Sequence, residues 1–184
     1  MTKLGGSLAA VPAGSWRLGQ NSGRVELATH MFGSSVRVVF DQVDGVAEVG
    51  SSALDSAISM SIAAASLKSG NRRRDDHLRS HLGLDVRRFP IIAFTGSAVG
   101  VTDMGGIVVA GDLVLRGQEV PLTLTVEVRD IDDCCTGLFA RSEIPASSLG
   151  IGLGLPFARR LLRGDVQLSL TAFAAIDHCA QPAA

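Results

Sequence analysis

The sequence predicts an all-β domain of about eight strands, interrupted once by a charged helix, and three observations carry that reading. Most of the chain alternates apolar and polar residues with period two. The cleanest case sets Val120, Leu122, Leu124, Val126 and Val128 against Pro121, Thr123, Thr125 and Glu127. These segments follow one another at hairpin spacing. One long charged block, Ser69 to Pro90, changes period and composition to helix. One apolar and one polar face per strand suits a sandwich or a closed barrel. Closure removes sheet edges, and a barrel of about eight strands is wide enough to be filled by side chains or to hold one small apolar ligand.

The elements follow in order. Residues 1–14 read as a flexible arm, 15–177 as the folded domain and 178–184 as a tail. Ser15 to Leu18 forms a short first strand anchored by Trp16, and Gln20 to Gly23 a turn. Arg24 to His30 and Ser35 to Phe40 alternate. Asp44-Gly45 marks a turn or bulge, after which Val46 to Val49 resumes the same strand. Leu54 to Ala64 has Leu54, Ile58, Met60 and Ile62 on one side. The helix spans about 71–82: Asn71 is its N-cap, Asp75 and Asp76 suit the dipole at its start, Arg79 and His81 lie toward its end, and Gly83 stops it. Pro90 imposes an extended entry to the next strand. Further strands run over 91–99, 107–115, 120–128, 136–144 and 166–176. Residues 147–164 read as irregular, with a short helix around 158–162.

Composition excludes several functions. The net charge of −1 gives no global attraction to nucleic acid or an anionic membrane. Seven Phe, one Trp and no Tyr are too few for base- or sugar-stacking platforms. No segment has the length of a signal or membrane-spanning run, so the expected location is cytoplasmic. Cys134, Cys135 and Cys179 are odd in number and lack metal-site spacing, which fits a reduced compartment.

Three stretches carry a family resemblance. The first is Ser69-Gly70-Asn71, Arg74 to Ser80, Asp85-Val86 and Phe89 to Phe94. The second is Gly111 to Leu122. The third is Val25, Leu27 and His30. Together they resemble the YceI-like family over roughly Trp16 to Ile176. The resemblance implies a closed, lipocalin-like antiparallel barrel that binds an isoprenoid, an isoprenoid quinone or a fatty chain, without covalent chemistry, metal or cofactor. Gln20, Asn21 and Ser22 depart from the family pattern, as do Gly83 and Leu84 in place of an aromatic pair, and Pro145, Ala146 and Leu149 near the last strand.

Alternation alone favours a filled core. The resemblance favours instead a tunnel lined by Val25, Leu27, Val36, Val38, Phe40, Ile58, Met60, Phe94, Leu113, Leu115, Leu122, Leu124 and Leu168, with His30, His77 and Arg79 at a polar mouth. His77 is also the expected structural tie of the crossover, which plugs or gates one end of the barrel. His77 and His81 share a helix face, but no glutamate follows His77, so the zinc-protease pattern fails. Arg72 to Arg74 read as a solvated face or a phosphate contact. Arg159, Arg160 and Arg163 form a small amphipathic patch suited to transient membrane contact. The second functional reading is a small hydrolase or isomerase with His77 as base. The third is a homodimeric interaction module.

Overall fold

The computed structural model describes residues 11–31, 34–129, 135–145 and 165–176. The first ten residues of the expected arm, the tail, and the 147–164 segment with Arg159, Arg160 and Arg163 lie outside these.

Ten strands of the described residues form one antiparallel sheet: β1 (Gly14–Met31), β2 (Ser34–Phe40), β3 (Val43–Val49), β4 (Ala57–Ala63), β5 (Leu67–Lys68), β6 (Ile91–Val101), β7 (Ile107–Leu115), β8 (Gln118–Arg129), β9 (Cys135–Pro145) and β10 (Asp165–Ile176). Eight of them close a barrel in the order β1, β3, β4, β6, β7, β8, β9, β10, with β10 pairing back onto β1. Closure leaves no edge in the ring. β2 and β5 continue the sheet beside the second half of β1.

Three boundaries differ from the sequence reading. The first two expected strands are one strand of 18 residues. Gln20 to Gly23 makes a register slip against β10 rather than a turn, and β1 pairs with β3 along its first half and β2 along its second. Glycine is needed where the strands cross, because a Cβ on Gly23 would lie 2.9 Å from Val43 Cβ. Asp44 and Gly45 are not a turn. They sit within β3 opposite Ser61 and Met60, and Gly45 admits the Ser59 carbonyl, which would be 2.9 Å from a Cβ there. Leu54 belongs to a short 3-10 turn capped by Ser52 and is 53% exposed, so β4 begins only at Ala57.

The one α-helix among the described residues, α1 (Arg72–Arg79), starts as its sequence dictates. Asn71 Oδ1 accepts from the Arg74 amide at 3.1 Å. It ends earlier than expected, at Ser80. There the Ser80 amide donates to the Asp76 and His77 carbonyls, and the Leu84 amide reaches back to the Leu78 carbonyl at 2.6 Å.

The segment around β5 and α1 packs onto the barrel core. Ala64, Leu67 and Leu84 are buried there, and Leu78 and Val86 pack against the core. Arg79 ties α1 to the chain that enters it, donating from Nε to the Ala65 carbonyl at 3.2 Å and from Nη2 to the Leu67 carbonyl. The side chain that ties this segment down is Arg79, not the expected His77. His77 contributes only its backbone carbonyl, to Ser80, and its ring has no hydrogen bond among the described residues. A guanidinium on a long stem spans a distance that an imidazole does not, and it carries donors for both carbonyls.

An apolar cavity at the open end

One end of the barrel is built from the start of β1, the end of β3, the starts of β4, β7 and β9, and the end of β8. Alternation sends Trp16, Ile58, Ile107, Val109, Val126, Val128 and Leu138 inward there. With Val11, Ala47, Val49 and Ala57 they enclose an open cavity of about 60 Å³. Trp16 is 1% exposed and its Nε1 donates to the Pro12 carbonyl at 3.0 Å, which fixes the indole against the wall. A space of that size admits a few water-sized groups, or the end of an apolar chain.

Three polar residues also line the cavity. Glu48 is exposed at the rim and accepts from Ser15 Oγ at 2.9 Å. Ser56 Oγ accepts from the Gly50 amide at 3.3 Å. Thr136 is buried, and its Oγ1 has no partner among the described residues.

The expected lining residues are placed differently from the cavity. Ile58 alone of them lines it. Val25, Phe40, Met60, Phe94, Leu113, Leu115, Leu122 and Leu124 are buried in the core, and Leu27, Val38 and Leu168 pack half-buried against it. Val36 is half-buried beyond that cluster. Their inward register agrees with the alternation, but they interdigitate as a packed core over most of the barrel. The polar mouth is displaced too. His77 and Arg79 belong to α1, and His30 pairs with Ser35, its side chain lying outside the described ones.

A larger hollow of about 620 Å³ lies on the outer face of β2, β1, β10, β9 and β8. Cross-strand register puts Arg37, Glu26, Ser169, Arg141 and Thr125 together there, with Arg37 Nε 2.8 Å from Glu26 Oε1. Its charged lining suits water, not an apolar chain. Among the described residues no group of three or more His, Cys, Asp or Glu side chains converges as a metal site. None of their helices is long and apolar enough to cross a membrane.

A family model described as the YceI-like domain matches residues 16–174. The chain belongs to the YceI-like family. Two UPF0312 proteins of Pseudomonas putida, from strains W619 and GB-1, are 40% and 38% identical to it over 68 residues. Those matches cover 37% of this chain and 35% of the relatives, so the shared segment spans about a third of their length. Among solved structures, this YceI-like barrel is similar to BcnA of Burkholderia cenocepacia, with a TM-score of 0.76 at 17% identity over 85% of this chain and 98% of that one. It is also similar to a polyisoprenoid binding domain from Saccharophagus degradans, with a TM-score of 0.66 at 15% identity over 88% and 98% of the two chains. The YCEI protein of Campylobacter jejuni gives a TM-score of 0.63 at 19% identity over 80% and 88%. At these identities the likeness is one of fold.

The YceI-like cavity residues that the sequence reading missed had half of their signal in the alternation. Val126 and Val128 share the apolar face of their alternating strand, as Ile107 and Val109 share one face of theirs. Where along the barrel a cavity remains is set by side-chain volumes around the ring, and no strand pattern reveals that. Thr136 carries no local signal at all.

Proposed function

We propose that this protein binds and carries or stores an apolar chain inside the barrel, without covalent chemistry. The observation that carries the reading is the open, almost wholly apolar cavity beside Trp16 and Ile58, in a family whose fold is shared with a polyisoprenoid-binding domain. Each Å² of apolar ligand surface removed from water contributes about 25 cal/mol. Binding of an isoprenoid or fatty chain therefore needs no polar machinery along its length. The short cavity takes the leading end of such a chain. A longer ligand extends toward Met60, Phe94, Leu113 and Leu124 as those side chains change rotamer.

Exposed apolar residues stand beside the open end. Val101 is 54% and Met104 88% exposed, at the tip joining β6 to β7. This tip supports brief membrane contact during ligand exchange. The alternative, a small hydrolase or isomerase with His77 as base, has less support, because His77 stands on α1, away from the cavity.

The test is mass spectrometry of an organic-solvent extract of protein purified from cells. The carrier reading expects an apolar molecule in near-stoichiometric amount. Repeated extracts with nothing above the buffer background would overturn it.

A further inference from the structure

The cavity wall holds one side chain whose hydrogen-bonding capacity the fold leaves unused. Thr136 stands on β9 opposite Ala174 of β10, on the same inward face as Leu138. It is 2% exposed, and its Oγ1 has no partner among the described residues. A buried hydroxyl without a partner costs stability, and valine fills the same shape without that cost.

The remaining polar groups at the cavity are occupied. Ser56 accepts from Gly50, and Glu48 accepts from Ser15 at the rim. No lysine or arginine is among the described lining residues, and Arg72 to Arg74 belong to α1. Among the described lining residues the one charged side chain is the Glu48 carboxylate, which repels an anionic head group.

We propose that Thr136 is the polar anchor of the cavity. It selects an apolar chain bearing an uncharged oxygen, a hydroxyl or a carbonyl, over the same chain bearing a phosphate or no oxygen at all. A threonine hydroxyl both donates and accepts, so it pairs with either kind of oxygen. The inference deepens the carrier reading and rests on it.

The protein carries its own reporter, since Trp16 is the single tryptophan and lines the cavity. Delipidated full-length protein is titrated with farnesol, farnesal, farnesene and farnesyl diphosphate, following Trp16 emission. These share one carbon skeleton, and farnesol against farnesal separates alcohol from carbonyl. Farnesol, farnesal or both bind roughly five-fold more tightly than farnesene, the scale of one net hydrogen bond, and the diphosphate binds more weakly than either. Thr136→Val erases the gap to farnesene, and Thr136→Ser keeps it. Thr136→Ala serves as a second variant lacking the hydroxyl. An unchanged gap in Thr136→Val, no gap in the wild type, or tightest binding of the diphosphate would each overturn the assignment of Thr136 while leaving the carrier reading intact. Failure of all four ligands, farnesene included, would overturn both.

Discussion

The ring of Phe94 lies over Gly96. A Cβ built on Gly96 would come within 2.9 Å of Phe94 Cζ and 3.0 Å of Val109 Cγ1. Val109 lines the cavity, whereas Phe94 is 1% exposed within the packed core. Phe94 thus stands where the open part of the barrel ends and the filled part begins. Its place is secured from the neighbouring strand, where Gly111 faces Gly96 and admits the Thr95 backbone, whose carbonyl oxygen would be 2.0 Å from a Cβ at position 111.

Truncating Phe94 should lengthen the cavity. Phe94→Ala is expected to cost about 3–5 kcal/mol, as for other buried phenylalanines, measured by urea unfolding. In the same variant the preference among prenyl alcohols should move from geraniol and farnesol toward geranylgeraniol, read by Trp16 fluorescence. An unaltered chain-length preference in a folded Phe94→Ala protein would show that Phe94 does not end the cavity.

The packing of the α1 segment depends on Gly83. A Cβ there would stand 2.2 Å from the Leu78 carbonyl oxygen and 2.7 Å from Leu78 Cα. Both are backbone atoms of α1 and its exit, so a rotamer change gives no relief. Gly83→Ala is therefore expected to destabilise the fold by roughly 3 kcal/mol, at the upper end of overpacking costs. The Leu84 amide protons should lose protection in hydrogen exchange, since the bond to Leu78 crosses this turn. Wild-type stability in Gly83→Ala would sink the argument.

Arg79 holds the same segment from the other side, through the Ala65 and Leu67 carbonyls. Its side chain is about a third exposed, which limits what the bonds contribute. Arg79→Met should cost about 1–2 kcal/mol. Arg79→Lys should recover only part of that, because one ammonium does not reproduce the fork of a guanidinium. His77→Ala, by contrast, should cost less, within about 1 kcal/mol of wild type, since its half-buried ring makes no hydrogen bond among the described residues. A larger loss at His77 than at Arg79 would reverse these assignments.

What the sequence made legible here was local. The alternation of β8 and the Asn71 cap depend on neighbours within a few residues, and both stand as read. Gln20 to Gly23 has the composition of a turn, yet it stays extended because β10 runs alongside and absorbs the slip. Gly45 looked like a turn residue, but the reason for glycine there is the Ser59 carbonyl on the adjacent strand. The thirteen side chains expected along a tunnel were mostly inward, as period two requires. Whether inward residues meet one another or leave a space depends on volumes summed around a closed ring. That is why Ile58 lines the cavity while Met60, two residues on, is packed.

Thr136 supplies a last test, this time on the unliganded protein. Its hydroxyl is buried at 2% exposure with no partner among the described residues, so it lowers stability without contributing a bond. Thr136→Val keeps the side-chain shape and removes the unsatisfied group. The delipidated variant should therefore be more stable than wild type by about 1 kcal/mol, seen as a higher urea midpoint with an unchanged slope. Added farnesol should narrow or reverse that difference, because only the wild type gains the hydrogen bond and binding raises the stability of whichever form binds better. A group kept at a cost to the empty protein and repaid on binding is what a recognition residue looks like energetically. If Thr136→Val were less stable than wild type without ligand, the hydroxyl would have a partner within the fold, and its role would be structural.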